Sequence, residues 1–437
     1  MIEQNSSVTG AAVWPAIGLT TAWTAVGVCL YVTVPEFAPF ILPLSLVAPV
    51  LWHRCQGIAP DWSYLDALFA TTFAYLLLNA SWSTAPSRAY LAVATFLAAA
   101  LTIHFSRKMV WTLTAAPLRA MAIGLYAGYV LIGALFSIEI GFQNPLHMAF
   151  LTAFPKLIPQ SSSMVVESGI LKQIRPEFFN TRIAALVFLF WPAALIAGRL
   201  ASTVPIRVGL GAGLLPVVAA VFWSEHQTSM LALLGGGLVW LFYQYAPRAV
   251  RLSVGVAWIL VCLAIVPLAS ASYKAQLYRA PLLWESAKAR IVIWGVVANK
   301  ISEAPFFGQG ISSGREIGLS ARQLGRRVPG TDFTEGPGPH AHSVYLQIWF
   351  ETGAVGALLL VCTGLLVLSA IGRTASELQT SLYSAFASSA LLAASSFSMW
   401  RPLFLASFAL SALSGLLAAS FGTCVLRARQ PPAPKAP

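Results

Sequence analysis

Residues 339–371 read PHAHSVYLQIWFETGAVGALLLVCTGLLVLSAI. A polar, proline-bound approach ends at His342-Ser343, and from Tyr345 to Ile371 the chain stays apolar long enough to cross a hydrocarbon core of roughly 30 Å as one helix. The junction of a polar loop with a membrane helix decides the fold class. Upstream, residues 271–356 form the longest polar run of the chain, with nine Lys/Arg (Lys274, Arg279, Lys288, Arg290, Lys300, Arg315, Arg322, Arg326, Arg327) against six acids (Glu285, Glu303, Glu316, Asp332, Glu335, Glu351). The remainder reads as a membrane scaffold that presents this stretch at one face of a bilayer.

With 57% hydrophobic residues, 10% charged residues and a mean hydropathy of +0.74, the chain lies outside the range of soluble domains. A net charge of +12 on so few charged residues points to polyanionic neighbours, either lipid headgroups or phosphorylated substrates. Nucleic acid is not among the expected partners, because no basic recognition element is visible. The five cysteines lie within or beside apolar spans, which implies neither a disulfide framework nor a thiolate metal site. Met-Ile-Glu-Gln-Asn lacks the basic region of a cleaved signal, so the first apolar run is expected to be retained.

Apolar runs fall at 11–34, 38–53, 65–83, 88–105, 119–138, 183–199, 206–224, 229–246, 251–270, 345–371, 379–399 and 402–424, twelve in all. The expected fold is an all-α integral membrane protein with a single transmembrane domain over 1–437. Pro43 and Pro49 lie in the second run, and Pro192 and Pro216 are expected to interrupt the sixth and seventh. Arg54, Arg107, Lys108, Arg199, Arg207, Arg248, Arg251, Arg373, Arg427, Arg429 and Lys435 fall on one side, which makes both termini cytoplasmic by the positive-inside rule. Two long loops, 139–182 and 271–344, then lie outside, and the tail 425–437 is expected to be disordered. The first loop should form short helices and turns. In the second, Leu283, Ala287, Ile291, Trp294 and Val297 mark one stripe of a helix over 281–303, and Pro305 with Gly308-Gln-Gly310 ends it in a turn. A further helix is expected over 311–324.

His342-Ser343, nine residues, then Gly353-Ala-Val-Gly356 resembles the His-[Asn/Ser/Gln]-x9-Gly-x-x-Gly pattern of the bacterial O-antigen ligases, within the O-antigen ligase/polymerase family. Arg290-Ile-Val-Ile-Trp294, Pro305 and Gly308-Gln-Gly310 also look like the long outer loop of that family. One departure matters. The family's Arg-x3-Leu element at the outer end of the eighth span is replaced by Gln227-Thr-Ser-Met-Leu231, so Arg88, Arg182 or Arg401 must supply the missing charge.

The resemblance implies a GT-C-like glycosyltransferase of the inner membrane with a periplasmic active site between spans nine and ten. It would move O-antigen from an undecaprenyl diphosphate carrier to a sugar hydroxyl of the lipid A core, with no cofactor and no metal. A diphosphate is already a competent leaving group, so its charge needs only neutralising, and arginine suits that better than lysine through bidentate contacts. Arg290 takes that role, with Arg88, Arg401, Arg182, His340, Lys288 and Trp294 as further substrate contacts. His342 takes the acceptor proton, as imidazole titrates near working pH.

Plainer readings stand beside these. Arg290 can snorkel from a loop helix to the headgroups, Arg88 and Arg401 can be interface anchors, and Trp294 can simply pack. His226 reads as an interfacial group, and His53 and His104 as incidental. A zinc site at His340 and His342 lacks further ligands. The alternatives are the related polymerase, for which Arg327 to Gly338 supplies one Arg-x10-Gly match, and a transporter, which would carry charges inside its spans.

Overall fold

The computed structural model describes residues 10–34, 63–157, 163–167, 170–323, 341–395 and 398–429. In chain order the helices are α1 (Gly10–Thr33), α2 (Tyr64–Asn79), α3 (Pro86–Thr112), α4 (Ala115–Gly141), α5 (Pro145–Ala153), α6 (Asn180–Leu200), α7 (Val204–Ala212), α8 (Leu215–Trp223), α9 (Gln227–Tyr245), α10 (Pro247–Lys274), α11 (Glu285–Ile301), α12 (Ser313–Gln323), α13 (Val344–Gly372), α14 (Ser376–Ser395) and α15 (Pro402–Arg429). Two short strands, β1 (Met164–Glu167) and β2 (Ile170–Ile174), pair antiparallel between α5 and α6.

Among the described residues seven helical stretches are long and apolar enough to cross a membrane: Pro86–Arg107, Ala115–Gly141, Pro176–Leu200, Val204–Trp223, Pro247–Lys274, Val344–Gly372 and Pro402–Ser420. Every expected apolar run other than 38–53, which lies outside the described residues, falls on a helix or a helix pair. Large apolar side chains such as Leu231, Leu234, Leu238 and Leu241 stay exposed along α9, as they do on a helix that faces lipid.

Two expectations need correction. Pro192 does not interrupt its helix: α6 runs through it from Asn180 to Leu200. Pro216 does sit just past a break, in the first turn of α8 after Gly213 and Leu214. The loop 139–182 contains the β1–β2 hairpin as well as short helices, because Met164–Glu167 and Ile170–Ile174 can pair across a two-residue connection.

The chain forms two compact units. The first comprises 1–59, 102–230 and 409–437, the second 60–101 and 231–408. In the first unit α6 is largely buried, and Tyr129 donates its hydroxyl to Leu186 O at 2.8 Å, tying α4 to α6. Gly124 and Gly128 let α4 close on α1, since a Cβ at either position would fall 2.3 Å from Thr21 O or 2.5 Å from Ala25 O. Beyond α4, the buried Glu139 carboxylate accepts from Leu146 N at 2.8 Å and pairs with His147 Nδ1 at 2.7 Å, which fixes the start of α5.

In the second unit α13 is the central element, packed against α2, α10, α11, α12 and α14. Ser63 and Asp66 close a capping box at the start of α2, and the Trp258 indole of α10 donates to Val361 O at 3.1 Å where α13 passes. An apolar cavity of about 560 Å³ lies among α9, α10 and α14, lined by Leu238, Phe242, Trp258, Tyr345, Phe386 and Leu391.

Candidate functional site

The start of α13 builds the site. Ser343 is the N-cap, extended at φ −152°, and its hydroxyl accepts from Leu346 N at 3.5 Å. His342 precedes it in the left-handed region at φ +50°, a conformation that a side chain other than glycine's adopts only when its neighbours hold it there. The neighbours are on both sides. Trp294 of α11 donates its indole N–H to Ala341 O at 3.0 Å. Ala341 itself is buried against Ala269, Val297, Ala298, Ile301, Leu346 and Phe350. The turn is therefore clamped between α11 and α13, with the imidazole left half-buried above it.

Charge decides what that imidazole can do. Burial first, then the Arg290 and Arg401 guanidiniums, push the His342 pKa from 6.5 down to about 4. Arg290 and Arg401 thus both stand close enough to act on it. Arg290, on α11, donates Nη1 to Ser286 O at 3.4 Å, while its buried Nε has no partner among the described residues. Burial also pulls its own pKa below the usual arginine value. A guanidinium held this way has donor capacity left for an anion.

The expected loop helix forms as α11, but its buried side is wider than the single stripe read from sequence. Val297, Ala298 and Ile301 join the cluster under Ala341, while Val292 and Val296 pack with Tyr278 and Tyr273. Two rows are covered because α11 lies against both α10 and α13.

Gly353 explains the rest of the motif. At φ +65° and ψ −162° it breaks α13, and the freed backbone groups are taken up by the segment after α11. Gln309 N donates to Phe350 O and Gly310 N to Glu351 O, both at 2.9 Å, and Ala354 N donates to Pro305 O at 2.9 Å. Gly308, at φ +71°, passes so close that a Cβ would fall 2.3 Å from the Glu351 carbonyl carbon. The Gly308-Gln-Gly310 turn and the Gly-x-x-Gly element are thus two halves of one joint.

The other expected site residues are placed as follows. Arg401 sits at the start of α15, its N–H on Ser398 O at 3.2 Å. Arg88, in the first turn of α3, pairs with Glu316 of α12 at 2.5 Å with both side chains nearly half exposed. Lys288 pairs with Glu285 one turn away at 2.7 Å. Arg182 belongs to the first unit, where it donates to Thr33 O and Phe178 O and stacks on the Phe178 ring at 4.3 Å. His340 lies outside the described residues, as do the kinked approach at 329–339, Arg326, Arg327, His53 and the tail from 430. His226 is buried at the first turn of α9, its Nδ1 2.6 Å from Ser229 Oγ.

Residues 212–361 match the model of the O-antigen ligase family. The O-antigen ligase domain so defined holds Arg290, Gly308, Gly310, His342, Gly353 and Gly356, and leaves Arg88, Arg182 and Arg401 outside it. Over 117 residues the chain is 30% identical to a Rickettsia felis protein named "Putative polysaccharide ligase", a stretch that covers 26% of this chain and 28% of that relative. With its apolar helices, this makes the protein a multi-pass membrane protein with a segment similar to the O-antigen ligase family.

The sequence reading missed the polar residues that hold the O-antigen ligase joint together. Glu351, buried at 2% exposure, accepts from Ser312 N at 3.0 Å, from Gln347 Nε2 at 3.2 Å and from the Trp400 indole. Asn79 donates to Phe307 O at 2.8 Å and accepts from Ile311 N at 2.9 Å, and Tyr75 donates to Thr352 O at 2.6 Å. A signal for Glu351 existed. It is an acid inside an apolar run, two residues before a glycine of the motif.

The electrostatics make a direct prediction. An imidazole whose pKa is lowered keeps its neutral form as pH falls through the ordinary value. In a ¹³C-histidine NMR titration of the protein in nanodiscs, His342 should titrate near 4 and not near 6.5. A midpoint at 6.5 would contradict both the burial of the imidazole and the influence of the two guanidiniums.

Proposed function

We propose that the protein is an O-antigen ligase that transfers an undecaprenyl-diphosphate-linked glycan to a hydroxyl of the lipid A core. The observation that carries this reading is the half-buried His342 at the head of α13, inside the stretch matched to the ligase family, with its pKa lowered first by burial and then by Arg290 and Arg401. In the reaction, His342 accepts the proton of the acceptor hydroxyl as its oxygen attacks the anomeric carbon. The bond to the diphosphate breaks with inversion, and Arg290 and Arg401 take up the charge left on the diphosphate.

Arg88, Arg182, Lys288 and His340 remain substrate contacts in this proposal. Trp294 is assigned a supporting part, since its indole N–H is already engaged at Ala341 O. We place the site on the periplasmic face of the inner membrane, with both termini cytoplasmic and a GT-C-like arrangement of about twelve spans. The chemistry needs no metal in this scheme, because the leaving group is already activated.

Reconstitution in liposomes with separate donor and acceptor lipids tests the reading. Glycan on the core acceptor is the expected product, undiminished in excess chelator. A longer glycan still on the carrier would make the protein a polymerase, and no glycan movement at all would overturn both.

A further inference from the structure

Glu351 is part of no motif that brought the site to notice, yet three segments converge on its carboxylate. The first is its own helix, α13, which begins about two turns away, just after His342. The second is the turn that opens α12. Ser312, in the left-handed region at φ +62°, donates its N–H to Glu351 Oε2 at 3.0 Å, and Gly314 N is a further donor to the carboxylate. The third is the turn before α15, through the Trp400 indole. Gln347, one turn earlier, doubles that last link: its Nε2 donates to Ser398 Oγ at 3.1 Å as well as to Glu351 Oε1 at 3.2 Å, and its Oε1 accepts from Met399 N at 2.8 Å.

The two linked turns end on arginines or their partners. Residues 398–400 lead directly into Arg401, whose N–H is bonded back to Ser398 O at 3.2 Å. α12 carries Glu316, which holds Arg88 at 2.5 Å. A buried carboxylate with donors from three chain segments has little freedom, because leaving any donor unpaired in the interior costs stability.

We propose that Glu351 is a positioning residue that fixes Arg401, and through α12 the Arg88–Glu316 pair, relative to the His342 imidazole. It touches no reacting atom in this scheme. Its work is to hold the guanidinium of one chain segment against the imidazole of another, and it rests on the ligase reading only for the consequence in transfer rate.

The test uses the full-length protein in nanodiscs and reads His342 itself. The charges that bear on that imidazole are Arg290 from α11 and Arg401 from the start of α15. In Glu351→Gln one of the two acceptor oxygens becomes a donor, so either Ser312 and Trp400 or Gln347 lose their acceptor, the links to the turns before α12 and α15 loosen, and Arg401 should move. The ¹³C midpoint of His342 is then expected to rise above about 4 by only part of the way to 6.5, since burial and Arg290, the larger causes, stay in place. Trp400→Phe removes the indole donor while keeping an aromatic ring in the same buried place, and carries the test if Glu351→Gln does not fold. In an Arg401→Gln background neither change should move the midpoint further.

An unchanged midpoint in a folded variant overturns the proposal. So does an equal shift in the Arg401→Gln background, which would assign the effect to burial alone. In the reconstituted transfer assay, kcat should fall on the order of tenfold to a hundredfold with KM little changed, as for a misplaced catalytic contact. If the wild type transfers no glycan, the ligase reading fails while the titration result stands, so the two are separable.

Discussion

Replacing His342 by alanine is expected to leave a folded membrane protein that no longer attaches glycan to lipid A core. Folding should survive because the turn is anchored on either side of the imidazole and not through it. Ala341 holds the Trp294 indole by its backbone carbonyl, and Ser343 caps α13 by its hydroxyl. Alanine also tolerates φ +50° at a cost of about 1–2 kcal/mol, the usual penalty for an L-residue in that region and less than most domains can lose.

Activity should not survive. A positioned base contributes roughly a hundredfold to ten-thousandfold, and no described histidine other than His342 is placed beside Arg290 and Arg401. The readout is the O-antigen ladder on a lipopolysaccharide gel, with a thermal melt of the purified variant as the folding control. A ladder of normal intensity from a folded variant would remove His342 from the chemistry.

How much of this was legible follows the range of the interactions. Helices, the Ser343 cap and the turn at Gly308-Gln-Gly310 are written locally, in runs of apolar residues and in the special backbone of serine, proline and glycine. The His342 motif was legible as a spacing. What it meant in space was not: the nine residues between Ser343 and Gly353 are the helical turns that carry Gln347 and Glu351 inward from the imidazole to the joint. The partners of that joint are remote in sequence. Asn79 reaches Phe307 across 228 positions and Tyr75 reaches Thr352 across 277, and no local pattern encodes such pairs. Arg88 shows the same limit, since its exposed position at a helix start was readable but its ion pair with Glu316 was not. The β1–β2 hairpin was missed for a different reason. Strands of four and five residues are too short to show an alternation, although the Ser168-Gly169 pair between them is a turn signal.

The glycines of the motif allow a prediction that separates backbone from chemistry. Gly353→Ala should destabilise the protein by more than about 3 kcal/mol, because it meets two obstacles at once. At φ +65° and ψ −162° the backbone occupies a region open essentially to glycine alone, and an added Cβ would lie 2.4 Å from the carbonyl carbon and oxygen of Phe306. That neighbour is backbone, and it cannot rotate away: Val355 N donates to the same Phe306 oxygen at 3.3 Å, and the adjoining Pro305 carbonyl accepts from Ala354 N. Relieving the clash would mean pulling the 305–310 segment off α13, leaving the Phe350 carbonyl unpaired inside the unit and the Glu351 carbonyl with its Asn79 donor alone. Gly356→Ala is no mild control for it. A Cβ there would lie 2.5 Å from Thr352 Cβ, which no rotamer change relieves, so the milder control is Gly255→Ala in α10, where an added Cβ meets nothing within 4 Å and the change should stay within about 0.5 kcal/mol. Thermal unfolding of Gly353→Ala and Gly255→Ala in detergent, followed by helical circular dichroism, should place Gly353→Ala well below Gly255→Ala. If the two melt together, the break at Gly353 is not what joins α13 to the turn after α11, and the second half of the motif needs another explanation.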